Sequence, residues 1–288
     1  MKPLIVIVGE TASGKSKIAL ELAQLLNGEI INADSWAVYK DFDIGTAKPT
    51  SKDQHKVKHY ILDVADPRKG FSAVEFKKLA IKAINDINRK GKVPIIVGGT
   101  GLYIDSLIFD YSFLPASTAS ERKYLEGLSL EALVKRCHDL GYNTKKIDLN
   151  NKRRVIRLLE NKGVYPSAKP LRDNTLILGI KISPDNLIKN IEKRTEQMLQ
   201  NGLEMEVRSL ESKYGWEIEP MKGIGYREFK NFLSGDIDEQ ELINQINKDT
   251  LKLVKKQNTW FKRNKSIQWV TNREEVVELA TTFMNKFI

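Results

Sequence analysis

Gly9-Glu10-Thr11-Ala12-Ser13-Gly14-Lys15-Ser16 is a complete G-x-x-x-x-G-K-[ST] run, and its surroundings decide how it is read. Leu4–Val8 ahead of it is an apolar run of strand length, while Ile18, Leu22, Leu25 and Leu26 behind it recur at helical spacing. The run therefore joins a buried strand to an amphipathic helix. Glycines let successive backbone N–H groups turn inward, the helix N-terminus adds partial positive charge, and Lys15 adds a point charge. The Ser16 hydroxyl is a magnesium ligand in such loops. Gly9, Thr11, Ala12, Ser13, Gly14, Lys15 and Ser16 are thus the candidate diphosphate ligands, and Mg2+ on phosphate is the only metal implied. The motif does not say whether the phosphates are cleaved or serve as a leaving group.

Further apolar runs at Glu29–Ala33, Val93–Val97, Leu176–Ile182 and Ile267–Val270 alternate with helical stretches. Ser72 and Glu75 form a capping box for a helix whose stripe is Phe76, Leu79, Ala80, Ala83 and Ile87, and Gly91 stops it. This rhythm predicts an α/β fold, a P-loop NTPase-like parallel sheet flanked by helices. Between about Leu114 and Arg172 the rhythm breaks into polar, helical sequence. The expected organisation is a catalytic core of residues 1–113 and 172–288 with an inserted small helical lobe at 114–171. Ligands of such sheets bind at the carboxyl ends of the strands. Three loops should meet there: Gly9–Ser16, Asp34-Ser35 and Gly98–Gly101.

Composition narrows the function. The 288 residues are 41% apolar, enough for a sizeable core. No apolar stretch is long enough to span a membrane and no leader pattern precedes Leu4, so a cytoplasmic protein with no membrane partner is expected. Cys137 is alone, which rules out an internal disulfide, and His55, His59 and His138 have no metal-ligand spacing with it. The 47 basic against 37 acidic residues give a net charge of +10, more than a small-molecule pocket needs. Its distribution is uneven. Lys252, Lys255, Lys256, Lys262, Arg263 and Lys265 occur in a stretch without an acid, beside Trp260 and Phe261. Lys145, Lys146, Lys152, Arg153, Arg154 and Arg157 form a second cluster relieved only by Asp148. Two basic arms point to a nucleic-acid backbone.

Asp34 directly follows a strand, which aims its carboxylate at the phosphate site as a magnesium ligand, a general base or a cap. Around it lie Asn32-Ala33-Asp34-Ser35, Asp43-Ile44-Gly45-Thr46-Ala47-Lys48-Pro49 and Val97-Gly98-Gly99-Thr100-Gly101-Leu102-Tyr103. Arg153-Arg154-Val155-Ile156-Arg157, Gly225-Tyr226-Arg227-Glu228 and Lys255-Lys256-Gln257-Asn258-Thr259-Trp260-Phe261-Lys262-Arg263 follow in order. Over nearly its whole length the chain resembles the tRNA dimethylallyltransferases, also called tRNA isopentenyltransferases.

That resemblance implies transfer of a dimethylallyl group from dimethylallyl diphosphate to N6 of adenosine 37 in tRNA, with Mg2+ and release of diphosphate, by a monomer. It implies that Lys15 and Arg227 face the leaving diphosphate and that Asp34 accepts from the adenine amine. Asp34, Ser35, Trp36, Ala37 and Thr100 would contact the flipped base, Thr100 as part of the catalytic set. Arg122, Arg153, Arg154, Val155, Ile156 and Arg157 would contact the anticodon stem-loop, as would Lys255, Lys256 and Arg263 in the second basic arm. The chemistry is consistent from below: a delocalised amine gains reactivity when a carboxylate takes its proton, and an allylic C–O bond breaks more easily as the departing charge is neutralised. A stacked base must flip out to reach strand ends. Competing readings are an isopentenyltransferase acting on free adenine nucleotides, which would not need basic arms, and a P-loop small-molecule kinase, to which G-G-T-G offers nothing. A non-enzymatic RNA-binding module would not need Gly14-Lys15-Ser16 together with Asp34. Glu10, Ala37 and Tyr60 depart from the family's usual Pro, Gln and His, and the insertion is short. Trp36, Trp260 and Phe261 are read as packing residues, His59 as structural and Cys137 as a small buried side chain without a redox role.

Overall fold

The computed structural model describes residues 2–114 and 117–287. Its strands are β1 (Leu4–Gly9), β2 (Gly28–Asn32), β3 (His59–Tyr60), β4 (Val93–Gly98), β5 (Thr175–Ile180) and β6 (Ile267–Val270). They form one sheet in the order β3-β2-β4-β1-β5-β6, every neighbouring pair parallel. The helices are α1 (Lys15–Leu25), α2 (Ser51–Lys56), α3 (Ala73–Arg89), α4 (Gly101–Ile108), α5 (Ala119–Gly127), α6 (Leu130–Asp139), α7 (Lys152–Glu160), α8 (Pro184–Gln200), α9 (Leu203–Tyr214), α10 (Phe229–Leu233), α11 (Glu239–Phe261) and α12 (Arg273–Met284).

Continuous apolar runs give strands covered on both faces, and every residue of β1 and β4 is buried. Ile5, Ile7, Ile30, Ile95 and Leu178 pack with Ala19, Leu22 and Val276 from the flanking helices. The capping box at the start of α3 is formed: Ser72 Oγ accepts the Glu75 N–H at 3.2 Å and Glu75 Oε2 accepts the Ser72 N–H at 2.8 Å. The edge strand β3 is not legible as an apolar run, because it is two residues long. Its place is set by pairing of His59 and Tyr60 with Ile30 and Ile31, and by Asn32 Nδ2 donating to the Ile61 carbonyl at 3.0 Å.

The chain passes from β1 to β2 leaving room for β4 between them, then crosses β1 to add β5 and β6 on the other side. The direction of winding reverses beside β1, and the crevice at the carboxyl ends of β1 and β4 is the expected ligand position.

The chain divides into two compact units, one running to Ile108 and resuming at Leu171, the other Phe109–Pro170. The second unit begins ahead of Leu114 because its two connecting segments zip together: Ser112 bridges Ser167 and Lys169 N–H donates to the Phe109 carbonyl. It is a small helical lobe of α5, α6 and α7 around Leu125, Leu133, Cys137, Val155, Ile156 and Leu158. Among the described residues no helix is long and apolar enough to cross a membrane.

Candidate active site

The loop after β1 bends through two left-handed residues, Ala12 (φ 66°) and Gly14 (φ 85°), at the N-terminus of α1, with the Thr11 N–H donated to Gln257 and the Ser13 N–H to the Glu10 carbonyl. Lys15 Nζ reaches back across the loop to the Glu10 carbonyl at 3.0 Å. Burial pulls the Lys15 ammonium down to about 8; Asp34 opposes that shift, Arg194 adds to it, and Glu10 opposes it. Ser13 Oγ is buried without a hydrogen-bond partner, a polar atom with nothing in the protein to satisfy it. Ser16 is exposed at the first turn of α1 and lines a polar cavity with Thr11, Lys15, Asn32, Asp34 and Arg194.

Asp34 stands just beyond β2, held by an Asn32 side chain that accepts the Asp34 N–H at 3.2 Å and donates to its carbonyl at 3.2 Å. Its Oδ1 accepts N–H groups from Trp36 at 2.8 Å and Ala37 at 3.4 Å. The carboxylate therefore does cap a turn, through one oxygen. Oδ2 has no hydrogen-bond partner among the described residues. Thr100 Oγ1 accepts the Ser35 N–H at 3.0 Å and donates to Ser35 Oγ at 3.2 Å, while the Thr100 N–H donates to the Ala33 carbonyl. The Asp34-Ser35 and Gly98–Gly101 loops are thus fastened to one another. A second cavity, more apolar, also includes Thr11, Asp34, Thr46 and Arg194, and is walled by Trp36, Ile191, Met198, Ile224 and Leu253. Asp34 and Arg194 lie where the polar and apolar cavities adjoin.

The Asp43–Pro49 segment closes this crevice and is itself clamped. Glu206, on α9, accepts the consecutive N–H groups of Asp43, Ile44 and Gly45 at 3.1, 2.8 and 3.1 Å, and the Tyr226 hydroxyl at 2.7 Å. Lys48 Nζ binds Asp43, Asp63 and the Tyr39 carbonyl, so the lysine of this string is structural.

Arg227 is placed differently from the sequence expectation. Its Nε pairs with Glu228 Oε1 at 2.9 Å and its Nη2 with Asp249 Oδ2 at 2.5 Å, and it lines neither cavity. The adjacent buried Glu228, whose other oxygen accepts the Gly225 N–H at 2.8 Å, captures the guanidinium. The arginine at the crevice is Arg194, half-buried on α8, with no hydrogen bond or ion pair among the described residues. Burial lowers its pKa, so it faces the cavity as a poorly solvated cation. The sequence hides it in a mixed-charge helical face, Glu192-Lys193-Arg194-Thr195-Glu196.

The basic arms divide in the same way. In the lobe, Val155 and Ile156 are core residues, which corrects the expectation that they contact a partner. Arg122 and Arg157 are internal struts: Glu160 accepts Arg122 Nη1 at 3.1 Å, Arg157 Nη1 at 3.3 Å and the Ser117 hydroxyl at 2.6 Å, and Arg157 Nη2 donates to the Leu114 carbonyl. Arg153 and Arg154 are exposed. On α11 and just beyond it Lys255, Lys256, Lys262 and Arg263 are exposed, and Arg263 stacks on Trp260 with its guanidinium carbon 4.2 Å from the ring centroid. Between them Gln257, to which the motif pattern assigns no role, is buried and touches two of the site loops.

The chain as a whole is similar to known proteins. The family model for IPP transferase matches residues 37–264. The tRNA dimethylallyltransferase of Acetivibrio thermocellus is 39% identical over 96% of this chain and 93% of its own length. The full-length tRNA isopentenylpyrophosphate transferase of Bacillus halodurans superposes with a TM-score of 0.77 at 31% identity, covering 99% of this chain and 98% of that one. A eukaryotic dimethylallyltransferase described as acting on tRNA superposes at 0.79 with 28% identity, over 94% of this chain and 74% of its own.

Proposed function

The chain belongs to the IPP transferase family of tRNA dimethylallyltransferases, and from that membership we infer that it transfers a dimethylallyl group to tRNA, with dimethylallyl diphosphate as donor and N6 of adenosine 37 as acceptor. The observation that carries the residue assignment is the unpartnered Oδ2 of Asp34 at the seam of a polar, cation-lined cavity and an apolar one.

In this assignment the diphosphate sits in the Gly9–Ser16 loop, bound by Ser13 Oγ, Lys15 and Arg194. Asp34 Oδ2 accepts a proton of the adenine amine, N6 forms a bond to C1 of the allyl group, and the C1–O bond breaks with its electron pair leaving on diphosphate. Thr100 acts through Ser35, holding the Asp34 loop in place. A preorganised donor at a developing anion needs no reorganisation during the reaction. Among the described residues no three His, Cys, Asp or Glu side chains cluster into a cation cage. Mg2+ keeps waters and binds through substrate phosphates and one or two protein oxygens. Ser16, whose exposed hydroxyl opens on the polar cavity beside Lys15, is the residue that would hold it. Bound there, the ion would neutralise charge on the leaving diphosphate.

The protein acts as a cytoplasmic monomer on the anticodon stem-loop, which its exposed cations attract. Affinity for tRNA is expected to fall steeply with salt. Replacing Lys255 and Lys256 together by Ala should reduce the slope of log K against log [salt] by roughly 1 to 2 units. Arg122→Ala should leave the slope nearly unchanged and lower the melting temperature, since that guanidinium is spent on Glu160 and Glu126. A salt titration by filter binding, beside thermal melts, reads both.

Acceptor choice tests the reading against transfer to a free nucleotide. With labelled dimethylallyl diphosphate and Mg2+, tRNA should take the label and AMP should be a very poor acceptor, because AMP forfeits the remote contacts that position the base. Equal labelling of AMP would overturn the tRNA assignment.

A further inference from the structure

Gln257 is a buried amide on a helical stripe otherwise given to packing, with Val254 and Phe261 buried on either side of it. Its Oε1 accepts the Thr11 N–H at 2.8 Å, and its Nε2 donates to the Gly99 carbonyl at 3.2 Å. Thr11 belongs to the phosphate loop. Gly99 precedes Thr100, which is fastened to Ser35 and Ala33 beside Asp34. One side chain therefore joins the loop on the donor side to the loop on the acceptor side. The fit leaves no slack: a Cβ on Gly99 would stand 2.3 Å from Gln257 Nε2, so the second glycine of G-G-T-G admits the amide. One turn on, Trp260 Nε1 donates to Asp105 Oδ2 at 2.7 Å, and a Cβ on Gly101 would stand 2.2 Å from the indole Cδ1. The same helical segment exposes Lys255 and Lys256 to solvent.

We propose that Gln257 is a positioning residue that couples the two substrate sites, so that diphosphate in the phosphate loop and RNA on the α11 side each tighten the binding of the other. The proposal rests on the functional reading above. A buried amide with both ends hydrogen-bonded has one satisfied geometry, and breaking either end strands a polar group away from water. When diphosphate orders the loop at Thr11, the amide is fixed, and with it Gly99, Thr100 and this turn of α11. RNA arriving second meets a surface already ordered, and by linkage the effect is reciprocal.

The test is the affinity of a tRNA anticodon stem-loop, by fluorescence anisotropy, with and without saturating inorganic diphosphate and Mg2+. Gln257→Met keeps length and apolar packing while removing the amide's donor and strong acceptor. Gly99→Ala expels the amide sterically, and Gly99→Ala combined with Gln257→Ser gives the added methyl room. Wild type should bind RNA at least about fivefold more tightly with diphosphate present, and Gln257→Met should bring that ratio to about one while each ligand alone still binds. Gly99→Ala should lose the ratio too, and the double variant should be no worse than Gln257→Ser. A side chain that served stability alone would weaken both single affinities and lower the melting temperature, yet leave the ratio intact. A ratio near one in wild type that binds both ligands, or a ratio retained in Gln257→Met or in Gly99→Ala, overturns the coupling while sparing the functional reading. Wild type that binds neither RNA nor diphosphate overturns both.

Discussion

Asp34→Asn is expected to slow single-turnover transfer by roughly 10² to 10⁴, the range of a general base, with affinity for tRNA little changed. The substitution is nearly isosteric, and a side-chain oxygen can still accept the Trp36 N–H that Oδ1 now accepts at 2.8 Å. What changes is the second atom. In place of Oδ2 an NH2 group faces the N6 hydrogens, donor against donor, and no proton can be taken. Because Asp34 also caps its turn, Asp34→Ala removes both roles and should lower the melting temperature as well as the rate. If Asp34→Asn kept full activity while only the alanine variant lost stability, the carboxylate would be a cap alone.

Lys15→Ala is expected to cost about 3 kcal/mol of transition-state stabilisation, on the order of a hundredfold in kcat, again with tRNA affinity nearly intact. The lysine has a pH signature that separates it from Arg194. Burial holds its pKa at about 8 in the free protein, and a bound diphosphate raises it by favouring the charged form. Below pH 8 the lysine is already cationic and the diphosphate meets a full charge. Above pH 8 binding must take up a proton, so KM for dimethylallyl diphosphate should climb as pH rises through 8, and this inflection should vanish in Lys15→Ala. The opposite sign applies to folding: the unfolded lysine holds its proton to a higher pH, so this group's contribution to stability rises between about pH 8 and its ordinary value of 10.5. Near-normal turnover of Lys15→Ala at saturating donor would remove the lysine from leaving-group stabilisation.

The parts of the fold that could be read from sequence are those whose signal is local. The phosphate loop between an apolar strand and an amphipathic helix, and the Ser72–Glu75 capping box, are specified by residues within one or two turns of each other. β3 escaped because two residues held by pairing with β2 carry no periodicity of their own. In the site, Asp34 and Thr100 were legible from strand-end strings, whereas Arg194 was not. A lone arginine among glutamates and lysines on a helix looks solvated until the sheet beneath it is placed. Arg227 misled for the complementary reason. Asp249, 22 residues away in sequence, completes the pair that holds it, and only tertiary structure brings that carboxylate close. Gln257 did carry a signal, a polar side chain on the buried stripe of Val254 and Phe261, and a buried amide requires partners. Val155 and Ile156 show how a basic string conceals a core face, since helical spacing turns them inward while Arg153 and Arg154 stay exposed.

Dimethylallyl transfer to tRNA is read most directly from the product balance of a single reaction mixture. Purified protein, unmodified tRNA, Mg2+ and dimethylallyl diphosphate are combined, the tRNA is digested and its nucleosides identified by mass spectrometry, and released diphosphate is quantified in parallel. One intact diphosphate is expected for each N6-dimethylallyladenosine formed, with neither product when adenosine 37 is replaced by another base. Orthophosphate release without modified adenosine, or a dimethylallyl group on a nucleoside other than adenosine 37, would contradict it.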